Sequence, residues 1–378
     1  MADIAQRIKT LKSIVIYGGG MAGTFLAKKL CQSFAVTLVD SNEYFEIPMA
    51  TPRSMVDANF AEQAIIPFKH ALPKVQHIQG HLMQLNPDYS GVVRLKTGQE
   101  IQLHADVSVI ATGSHFSNSL VRGQSQTKLQ RQNFYQDFSK AIEKAQNIVL
   151  VGGGPIGVEI AGEINDLYPQ KIITIIESKT RLVSGTTAKV SAYIQQDFKR
   201  RGIRVFTNTQ LVQASHPKDT VCTEAGVAMT TDGQQIAYDL LMWCIGGRAN
   251  TTYLQAHFAD LLNPSAQVQV ENTLQVKHHP RLFALGDITD LAENKMAWHI
   301  NGQIPVAAHN IRCLLEDKLH ALKTYKAKTN NPMMAITLGR QKGVVYLPIV
   351  GMINIPLITR MAKASHMLVP KYRKELGL

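Results

Sequence analysis

Two glycine-rich turns constrain the fold of this chain more than any other feature of its sequence. One reads GGGMAG at residues 18–23 and the other GGGPIG at residues 152–157, and each follows an apolar strand pattern and precedes a helix pattern. In such a turn the first glycine permits a tight bend, the second lets the backbone approach a pyrophosphate, and the third lets the helix pack closely on the sheet. The positive end of the helix attracts the phosphates. Two copies predict two nucleotide-binding modules.

An acidic residue ends the strand that follows each turn. Asp40 lies 22 residues beyond Gly18, and Glu177 lies 25 residues beyond Gly152. A carboxylate at this position can accept hydrogen bonds from a ribose diol. The residues assigned to nucleotide binding by these two patterns are Gly18, Gly20, Gly23, Asp40, Gly152, Gly154, Gly157 and Glu177.

The alternation of strand and helix patterns predicts parallel sheets with crossover helices, and therefore an α/β fold built from two Rossmann-type modules. Residues 107–113 and 240–247 share a strand-then-glycine form, which we interpret as the exit from the first module and the return to it. The predicted order is a first module over 1–113 that resumes over 246–322, an inserted second module over 114–245, and a small C-terminal region over 323–378.

A third short strand pattern, RLFALGD at residues 281–287, helps to assign the nucleotides. In flavoproteins with two dinucleotide sites, an aspartate after such a strand contacts the ribityl chain of the flavin, and the N-terminal module holds FAD. We therefore predict FAD in the first module and NADH or NADPH in the second. The further residues assigned to FAD binding are Arg53, Ala111, Thr112, Gly113, Gly286 and Asp287.

Several motifs in the same order resemble one family over nearly the whole chain. They are GVEIAGEI at 157–164 followed by Tyr168-Pro169, KMA at 295–297, and the segment from Met334 to Gly343. Together they resemble the apoptosis-inducing-factor-like ferroptosis suppressor family of FAD-dependent NAD(P)H:quinone oxidoreductases, which is related to type II NADH dehydrogenases. The resemblance implies transfer of hydride from the nicotinamide to the flavin and of electrons on to a quinone.

The resemblance also implies roles for individual side chains. Glu159 matches a glutamate on the nicotinamide side of the site, while Lys295 and Met296 match residues near the isoalloxazine. A first-turn acid favoured by the helix dipole is the alternative for Glu159, and a surface lysine for Lys295. Gln303 is assigned to the quinone side and His299 to protonation, with a core histidine as the alternative.

Two assignments of charged residues are open at the level of sequence. Glu177 favours NADH because a carboxylate repels the additional phosphate of NADPH, whereas the nearby Lys179 and Arg181 keep NADPH open. Arg53, in the segment TPRS, is assigned to the FAD pyrophosphate, with a solvated loop arginine as the alternative.

The cysteines exclude two classes of protein. Four cysteines lie far apart without a CxxC pair, which argues against a disulfide framework and against a dithiol redox centre. The sequence contains no metal-ligand motif, and its first apolar run, at 14–17, is too short for a secretory signal. We therefore expect a reducing, cytoplasmic setting and no metal.

Most of the basic charge lies at the C-terminal end. Residues 323–378 contain ten Lys/Arg and one acid, and so account for +9 of the net charge of +12. The uncharged stretch 343–359 is interrupted by two prolines and is shorter than the ~20 apolar residues that span a bilayer. We expect this region to contact an anionic membrane surface from the cytoplasmic side. The alternatives are a cap on the flavin domain, a homodimer interface or a solvated basic face.

Two other functions remain open from the sequence. One is an NAD(P)H-dependent reductase of a small acidic electron carrier such as a ferredoxin, which the basic tail would attract electrostatically in place of a lipid surface. The other is a redox-gated nucleotide-binding protein that attaches to a membrane or to nucleic acid, although two intact nucleotide motifs favour an enzyme.

Overall fold

A computed structural model describes residues 11–115, 126–213, 221–329 and 333–378 of the chain. Over these residues the strands, in chain order, are β1 (Ser13–Tyr17), β2 (Ala35–Asp40), β3 (Tyr44–Glu46), β4 (Ile65–Pro67), β5 (Gln76–Leu85), β6 (Gly91–Leu95), β7 (Glu100–Leu103), β8 (Val107–Ile110), β9 (Ser114–His115), β10 (Asn147–Val151), β11 (Ile172–Ile176), β12 (Arg204–Phe206), β13 (Leu211–Gln213), β14 (Gly226–Thr230), β15 (Gln235–Tyr238), β16 (Leu240–Trp243), β17 (Arg248–Ala249), β18 (Gln275–Val276), β19 (His279–Ala284), β20 (Met334–Thr337), β21 (Gly343–Leu347) and β22 (Gly351–Ile353).

The α-helices, in chain order, are α1 (Met21–Leu30), α2 (Thr51–Val56), α3 (Ala58–Ala64), α4 (Phe68–Ala71), α5 (Lys128–Lys144), α6 (Pro155–Leu167), α7 (Ala188–Arg200), α8 (Ala297–Leu315), α9 (Pro356–Thr359) and α10 (Val369–Leu376). A π-helical turn, Arg360–Ala364, follows α9 directly.

The chain divides into two compact units. Unit 1 comprises residues 1–45, 67–114 and 248–327, and unit 2 comprises residues 46–66, 115–247 and 328–378. The long insertion in unit 1 thus spans 115–247, close to the predicted second module of 114–245. The structure also assigns 46–66 and the C-terminal residues 328–378 to unit 2, which the sequence pattern does not reveal.

Unit 1 is built on a mixed sheet of strand order β18-β19-β8-β1-β2-β5-β6-β7. The pairs from β19 to β5 in this order are parallel, whereas both edges are antiparallel. The strand β1 is buried from Ile14 to Tyr17, as expected for a central parallel strand covered on both faces. One core cluster of unit 1 packs side chains of β1, β8 and β19 against the 253–270 segment.

Unit 2 contains a parallel sheet of order β12-β11-β10-β16 and two antiparallel sheets, β13-β14-β15 and β20-β21-β22. Helix α6 follows β10 and contacts β20, which belongs to the C-terminal segment. Gly162 permits this approach: a Cβ there would lie 2.7 Å from the backbone nitrogen of Gly339. The C-terminal segment is therefore packed on the helix of the second glycine turn.

Candidate functional site

The first glycine turn has the geometry that its sequence predicts. Gly18 has a φ of +106°, which favours glycine, and a Cβ at Gly23 would lie 1.8 Å from the carbonyl oxygen of Gly18. The amide of Gly19 donates to Asp40 Oδ2 at 2.6 Å, and the amide of Asn42 donates to Oδ1 at 2.8 Å. Gly20 is the N-cap of α1 and makes no side-chain cap hydrogen bond. Asp40 is thus fixed beside the N-terminal end of helix α1.

Three glycine-containing segments of unit 1 meet at one edge of its sheet. The parallel strands β19, β8 and β1 are neighbours, so the residues after their carboxyl ends lie together. A Cβ on Gly18 would lie 2.3 Å from the carbonyl oxygen of Ala111, and a Cβ on Gly286 would lie 3.3 Å from the Cβ of Ala22. The hydroxyl of Thr112 donates to the carbonyl of Asn250 and accepts a hydrogen bond from the hydroxyl of Tyr253. The structure therefore brings the predicted segments 18–23, 111–113 and 286–287 together.

The second glycine turn repeats the first in unit 2. Gly152 has a φ of +114°, and a Cβ at Gly157 would lie 2.1 Å from the carbonyl oxygen of Gly152. The amide of Gly153 donates to Glu177 Oε2 at 2.6 Å, and the amide of Lys179 donates to Oε1 at 2.7 Å. In both units, then, the strand-end carboxylate binds the amide of the middle glycine and the amide two residues beyond itself.

These two cradles fit a dinucleotide. Neither α1 nor α6 has an acid in its first turn or a side-chain cap, so their first-turn amides face no competing carboxylate. A Cβ at Gly154 would meet nothing within 4 Å, which leaves open space over the turn. Each carboxylate oxygen of Asp40 and Glu177 has two lone pairs, so it can accept a hydrogen bond from a ribose hydroxyl in addition to the one from the backbone amide.

Glu293 joins several side chains of unit 1 that the sequence treats separately. Its side chain is 2% exposed; Oε1 accepts a hydrogen bond from Gln303 at 2.8 Å and Oε2 accepts one from Tyr325 at 2.8 Å. His299 Nδ1 lies 3.3 Å from Oε2. The other end of Gln303 accepts a hydrogen bond from the amide of Gly286 at 2.7 Å. Both predicted acceptor-side residues, His299 and Gln303, are therefore buried and lie against the Glu293 carboxylate. Gln303 also contacts the Gly286 turn directly.

Lys295 and Met296 lie just before helix α8. Met296 is the half-buried N-cap of the helix, and the exposed Lys295 donates from its ammonium to the carbonyl of Thr289 at 2.6 Å. Partial burial of the ammonium lowers the pKa of Lys295 below that of an ordinary lysine, an effect that the carboxylate of Asp287 opposes. The positive charge of Lys295 thus lies near the turn that contains Asp287.

Arg53 lies in unit 2, where its guanidinium forms a buried ion pair. Nε and Nη2 donate to the two carboxylate oxygens of Glu163 at 2.9 and 2.7 Å, and these side chains are 3% and 1% exposed. Nη1 and Nη2 also donate to the carbonyls of Ser365 and Ala364. Burial raises the pKa of Glu163, while the guanidinium of Arg53 lowers it. Within unit 2, Arg53 thus fastens the C-terminal segment to helix α6.

Glu159, one turn before Glu163 on α6, has a similar set of partners. Its Oε1 accepts a hydrogen bond from the amide of Thr337 at 2.9 Å and another from the ammonium of Lys363. Glu159 is 4% exposed. The structure therefore places this carboxylate between its helix and the C-terminal segment, and it neutralises a buried lysine there.

No local sequence pattern indicates these ion pairs, although the spacing of the two acids on α6 is one signal of a shared partner. Glu159 and Glu163 are four residues apart and so share one face of α6. Their cationic partners, Lys363 and Arg53, are 204 and 110 residues away in the chain, so no local pattern links them. Glu293 likewise has no motif that announces its buried contacts.

The cysteines and the helices narrow the chemistry further. All four cysteines are free, and burial raises the pKa of the Cys244 thiol to about 12, which keeps it protonated. Within the described ranges, His, Cys, Asp and Glu side chains form no group of three or more suited to a metal ion. Of the helices in the described part of the chain, none is long and apolar enough to cross a bilayer.

Comparison with known proteins agrees with this geometry. The pyridine nucleotide-disulphide oxidoreductase family matches residues 12–310. The chain is 31% identical to the ferroptosis suppressor protein 1 of Xenopus tropicalis, covering 96% of each chain, and 29% identical to the apoptosis-inducing factor homolog B of Dictyostelium discoideum, covering 97% of each. The sulfide:quinone oxidoreductase of Aquifex aeolicus has a similar fold, with a TM-score of 0.75, 16% identity, and coverage of 97% of this chain and 91% of that one.

The paired cradles and the parallel sheets define a flavoprotein oxidoreductase with two dinucleotide-binding modules, one for a flavin and one for a nicotinamide nucleotide. This confirms the predicted fold class. The chain belongs to the pyridine nucleotide-disulphide oxidoreductase family, and within it to the group of apoptosis-inducing factor homologues and ferroptosis suppressor proteins. The family resemblance predicted from the sequence is thus confirmed.

Proposed function

We propose that this protein oxidises NADH with the help of bound FAD and delivers two electrons to a quinone, with NADPH as the alternative donor. The observation that carries the proposal is the repetition of one carboxylate-and-glycine cradle in both units. Each cradle abuts the segment after a neighbouring strand, at Ala111 in unit 1 and at Cys244 in unit 2. Among the described residues, the cradle of unit 1 is in addition joined by the 286–287 turn, which supports FAD in unit 1 and the nicotinamide nucleotide in unit 2. A bound flavin supplies the electron-transfer chemistry, and the protein supplies binding and orientation.

The preference for NADH rests on Glu177. Its carboxylate is fixed by two backbone amides at the end of β11, where it would face the ribose and repel a 2′-phosphate. Arg181 donates to the carbonyls of Ser184 and Thr186, so its guanidinium is occupied within its own loop. The exposed Lys179 is the remaining cation that favours NADPH.

The roles closest to the reaction belong to Glu159, Lys295 and Met296. Glu159 would face the nicotinamide side of the site while neutralising Lys363. Lys295 would place a positive charge where negative charge develops on reduction, and Met296 would contact the ring system from the start of α8. For Arg53 to bind the FAD pyrophosphate, the pyrophosphate would have to compete with Glu163 for the guanidinium.

The acceptor side would be formed by His299 and Gln303. Reduction of a quinone by two electrons also consumes two protons, and a buried histidine 3.3 Å from a carboxylate is suited to hold one. Glu293 would orient both side chains. Gln303 would in addition stabilise the turn at Gly286, because its side-chain oxygen accepts from that amide.

The quinone is supported by the family resemblance, and by one structurally similar protein whose name includes this acceptor. A quinone in a bilayer requires the enzyme at a membrane surface. We therefore propose peripheral attachment on the cytoplasmic side through the basic C-terminal region, with a homodimer as the alternative use of that region.

The test is anaerobic stopped-flow reduction of the FAD-loaded protein by NADH or NADPH, followed by mixing with a short-chain ubiquinone. Rapid bleaching by NADH and rapid reoxidation by the quinone are expected. A Glu177→Gln variant should narrow the preference for NADH over NADPH, whereas Glu224→Gln, an exposed acid of the same unit, should leave it unchanged.

Two results would contradict the proposal at different points. Bleaching without quinone-dependent reoxidation leaves a flavin reductase with another acceptor, and reoxidation by a ferredoxin would identify that acceptor. The absence of bleaching with either nucleotide would exclude the enzymatic function itself.

A further inference from the structure

The loop before helix α8 and the first turn of that helix bury a carboxylate beside an imidazole in unit 1. The side chains of Glu293 and His299 are each 2% exposed, and His299 Nδ1 lies 3.3 Å from Glu293 Oε2. We call these two residues the Glu293–His299 pair. A buried charge without a partner is costly, so two ionisable groups this close bind and lose a proton as one unit.

The two hydrogen-bond donors 2.8 Å from the Glu293 carboxylate are neutral. They are the hydroxyl of Tyr325 and the side-chain amide of Gln303. Burial, together with the hydrogen bond to Glu293, raises the pKa of Tyr325 above that of an ordinary tyrosine, so the hydroxyl keeps its proton. The Gln303 amide does not titrate. The proton that this cluster can exchange is therefore the one carried by the pair.

The other ionisable groups around the pair belong to its own loop and to the elements packed on α8. They are Asp287, Asp290, Lys295, Lys28, Lys29 and His320. The two lysines of α1 belong to its last turn, and His320 is exposed. Lys295 donates from its ammonium to the carbonyls of Thr289 and Leu291. Within residues 287–295 three acids thus face one lysine, which favours binding of a proton by the pair.

Gln303 connects the pair to the glycine turn that is assigned to the flavin. Its Oε1 accepts a hydrogen bond from the amide of Gly286 at 2.7 Å, while its Nε2 donates to Glu293 at 2.8 Å. Asp287, the residue assigned to the ribityl chain, follows Gly286 directly. Reduction of a bound flavin adds negative charge, and a buried group screens such charge less than a solvated one does. The added charge therefore strengthens proton binding by the pair.

The balance of the overall reaction requires one such proton. NADH delivers a hydride, which is two electrons and one proton, whereas reduction of a quinone to a quinol consumes two electrons and two protons. The second proton has to be available when the electrons leave. The balance closes if the pair takes a proton from water during flavin reduction and gives it to a quinone oxygen during reoxidation.

We propose that the Glu293–His299 pair binds one proton each time the flavin of unit 1 is reduced, and releases it when the acceptor is reduced. The proposal rests on the proposed FAD site of unit 1. It goes beyond an orienting role for Glu293, because it makes the carboxylate a proton carrier and links proton uptake to the flavin instead of the acceptor. The competing interpretation is an ion pair of constant charge that only stabilises the fold.

The experiment is potentiometric titration of the flavin in the full-length, FAD-loaded protein at and above neutral pH, with mediators and without nucleotide or quinone. A flavin that takes up two electrons and one proton is reduced tenfold less favourably per pH unit, which is about 30 mV. One further proton makes this about a hundredfold, or about 60 mV, over part of the range in wild type. Reduction thus becomes harder with rising pH more steeply than for the flavin alone.

The variants are Glu293→Gln, His299→Gln and the double variant, and each should show about 30 mV per pH unit throughout. The glutamine at 293 keeps an oxygen that can accept the hydrogen bond from Tyr325, so the fold of the loop is preserved. Glu316→Gln is the matched control, because this acid follows the last residue of α8 and its side chain is 39% exposed. It should keep the slope of wild type.

Proton uptake is also measured directly with a pH-indicator dye in weakly buffered solution, during anaerobic reduction by one equivalent of NADH. Hydride transfer by itself consumes no proton from water. Uptake of one proton per flavin is expected in wild type and in Glu316→Gln, and none in the variants of the pair. Flavin absorbance and FAD retention show that each variant is folded.

Three results would overturn the proposal. A wild-type slope of about 30 mV throughout would do so without any variant. Equal steep slopes in wild type and in the double variant would leave a structural ion pair, and a steep slope in only one single variant would assign the proton to one residue alone. Failure of the proposed function is distinct: reduction by NADH or reoxidation by a quinone would be absent, while the potential set by the mediators still reports the additional proton.

Discussion

The ion pair between Arg53 and Glu163 allows the attachment of the C-terminal segment to be tested quantitatively. Both side chains are almost fully buried and are joined by two hydrogen bonds. Removing one partner of such a pair leaves an uncompensated buried charge and costs about 3–5 kcal/mol. Arg53→Met and Glu163→Leu should each destabilise unit 2 by this amount. The double variant should cost less than the sum of the two by at least about 2 kcal/mol, because neither charge then remains.

Hydrogen exchange is the appropriate assay, because a protein with two units need not unfold in one step. Peptides from α6 and from residues 356–368 should lose about two to three and a half orders of magnitude of protection in either single variant, at about 1.4 kcal/mol per tenfold. Peptides from β1 and β2 should be unaffected. Arg94→Met, which removes an ion pair with Glu100 exposed by about half, is the control and should change protection by less than about tenfold.

The same variants decide between the two roles of Arg53. If Arg53 acts by binding the FAD pyrophosphate, Arg53→Met releases flavin while protection in α6 is retained, and Glu163→Leu does not release it. That pattern, or strictly additive effects of the two substitutions, would refute the reasoning from the buried ion pair.

Three further substitutions test the cradles and the buried carboxylate. Gly157→Ala places a Cβ 2.1 Å from a carbonyl oxygen of its own turn, so reduction by NADH should fail while the flavin spectrum remains. Gly23→Ala, by contrast, should lose the flavin. The reverse pattern in absorbance and stopped-flow assays would exchange the nucleotides assigned to the two units. Glu293→Ala leaves several buried groups without their hydrogen-bond acceptor, at about 1–3 kcal/mol each, and should weaken FAD retention in dialysis at least about tenfold. Tyr325→Phe loses one hydrogen bond and should have the smaller effect. Equal FAD retention in the two variants would exclude a positioning role for the Glu293 carboxylate. Because burial lowers the pKa of Lys295, its charge is lost at a lower pH than that of an ordinary lysine. The rate of flavin reduction should therefore fall at alkaline pH in wild type and not in Lys295→Met. The same alkaline fall in both proteins would show that Lys295 takes no part in the reaction.

The glycine turns were predictable because their geometry is a local property. A turn that requires a φ of +106° or +114° selects glycine, and the helix that begins three residues later approaches the turn so closely that residues 23 and 157 must also be glycine. Parallel pairing then places the ends of neighbouring strands at one edge of the sheet, so the acids at 40 and 177 also followed from the sequence. The fold class and the glycine-and-carboxylate geometry at one edge of both sheets were therefore determined by short segments.

The meaning of the charged residues outside these turns was decided by the tertiary structure alone. Arg53 has the same sequence neighbourhood whether it binds a phosphate, faces solvent or pairs with Glu163, which is 110 residues away. Gln303 was assigned to the acceptor side from the family resemblance, yet its contacts with Gly286 and Glu293 depend on how α8 packs within unit 1. A side chain acquires these roles only when burial removes water and leaves a particular partner.

The C-terminal region shows both limits together. Its basic composition and its interrupted apolar stretch, read from the sequence, indicated a surface segment rather than a bilayer-spanning helix. Only the folded chain separates the residues that are buried against α6, such as Lys363, from those that point outward, such as Ile349. Sequence determined the elements and their composition, because these depend on neighbouring residues. The tertiary structure determined which charges are neutralised and which apolar groups remain exposed, because burial and pairing depend on distant parts of the chain.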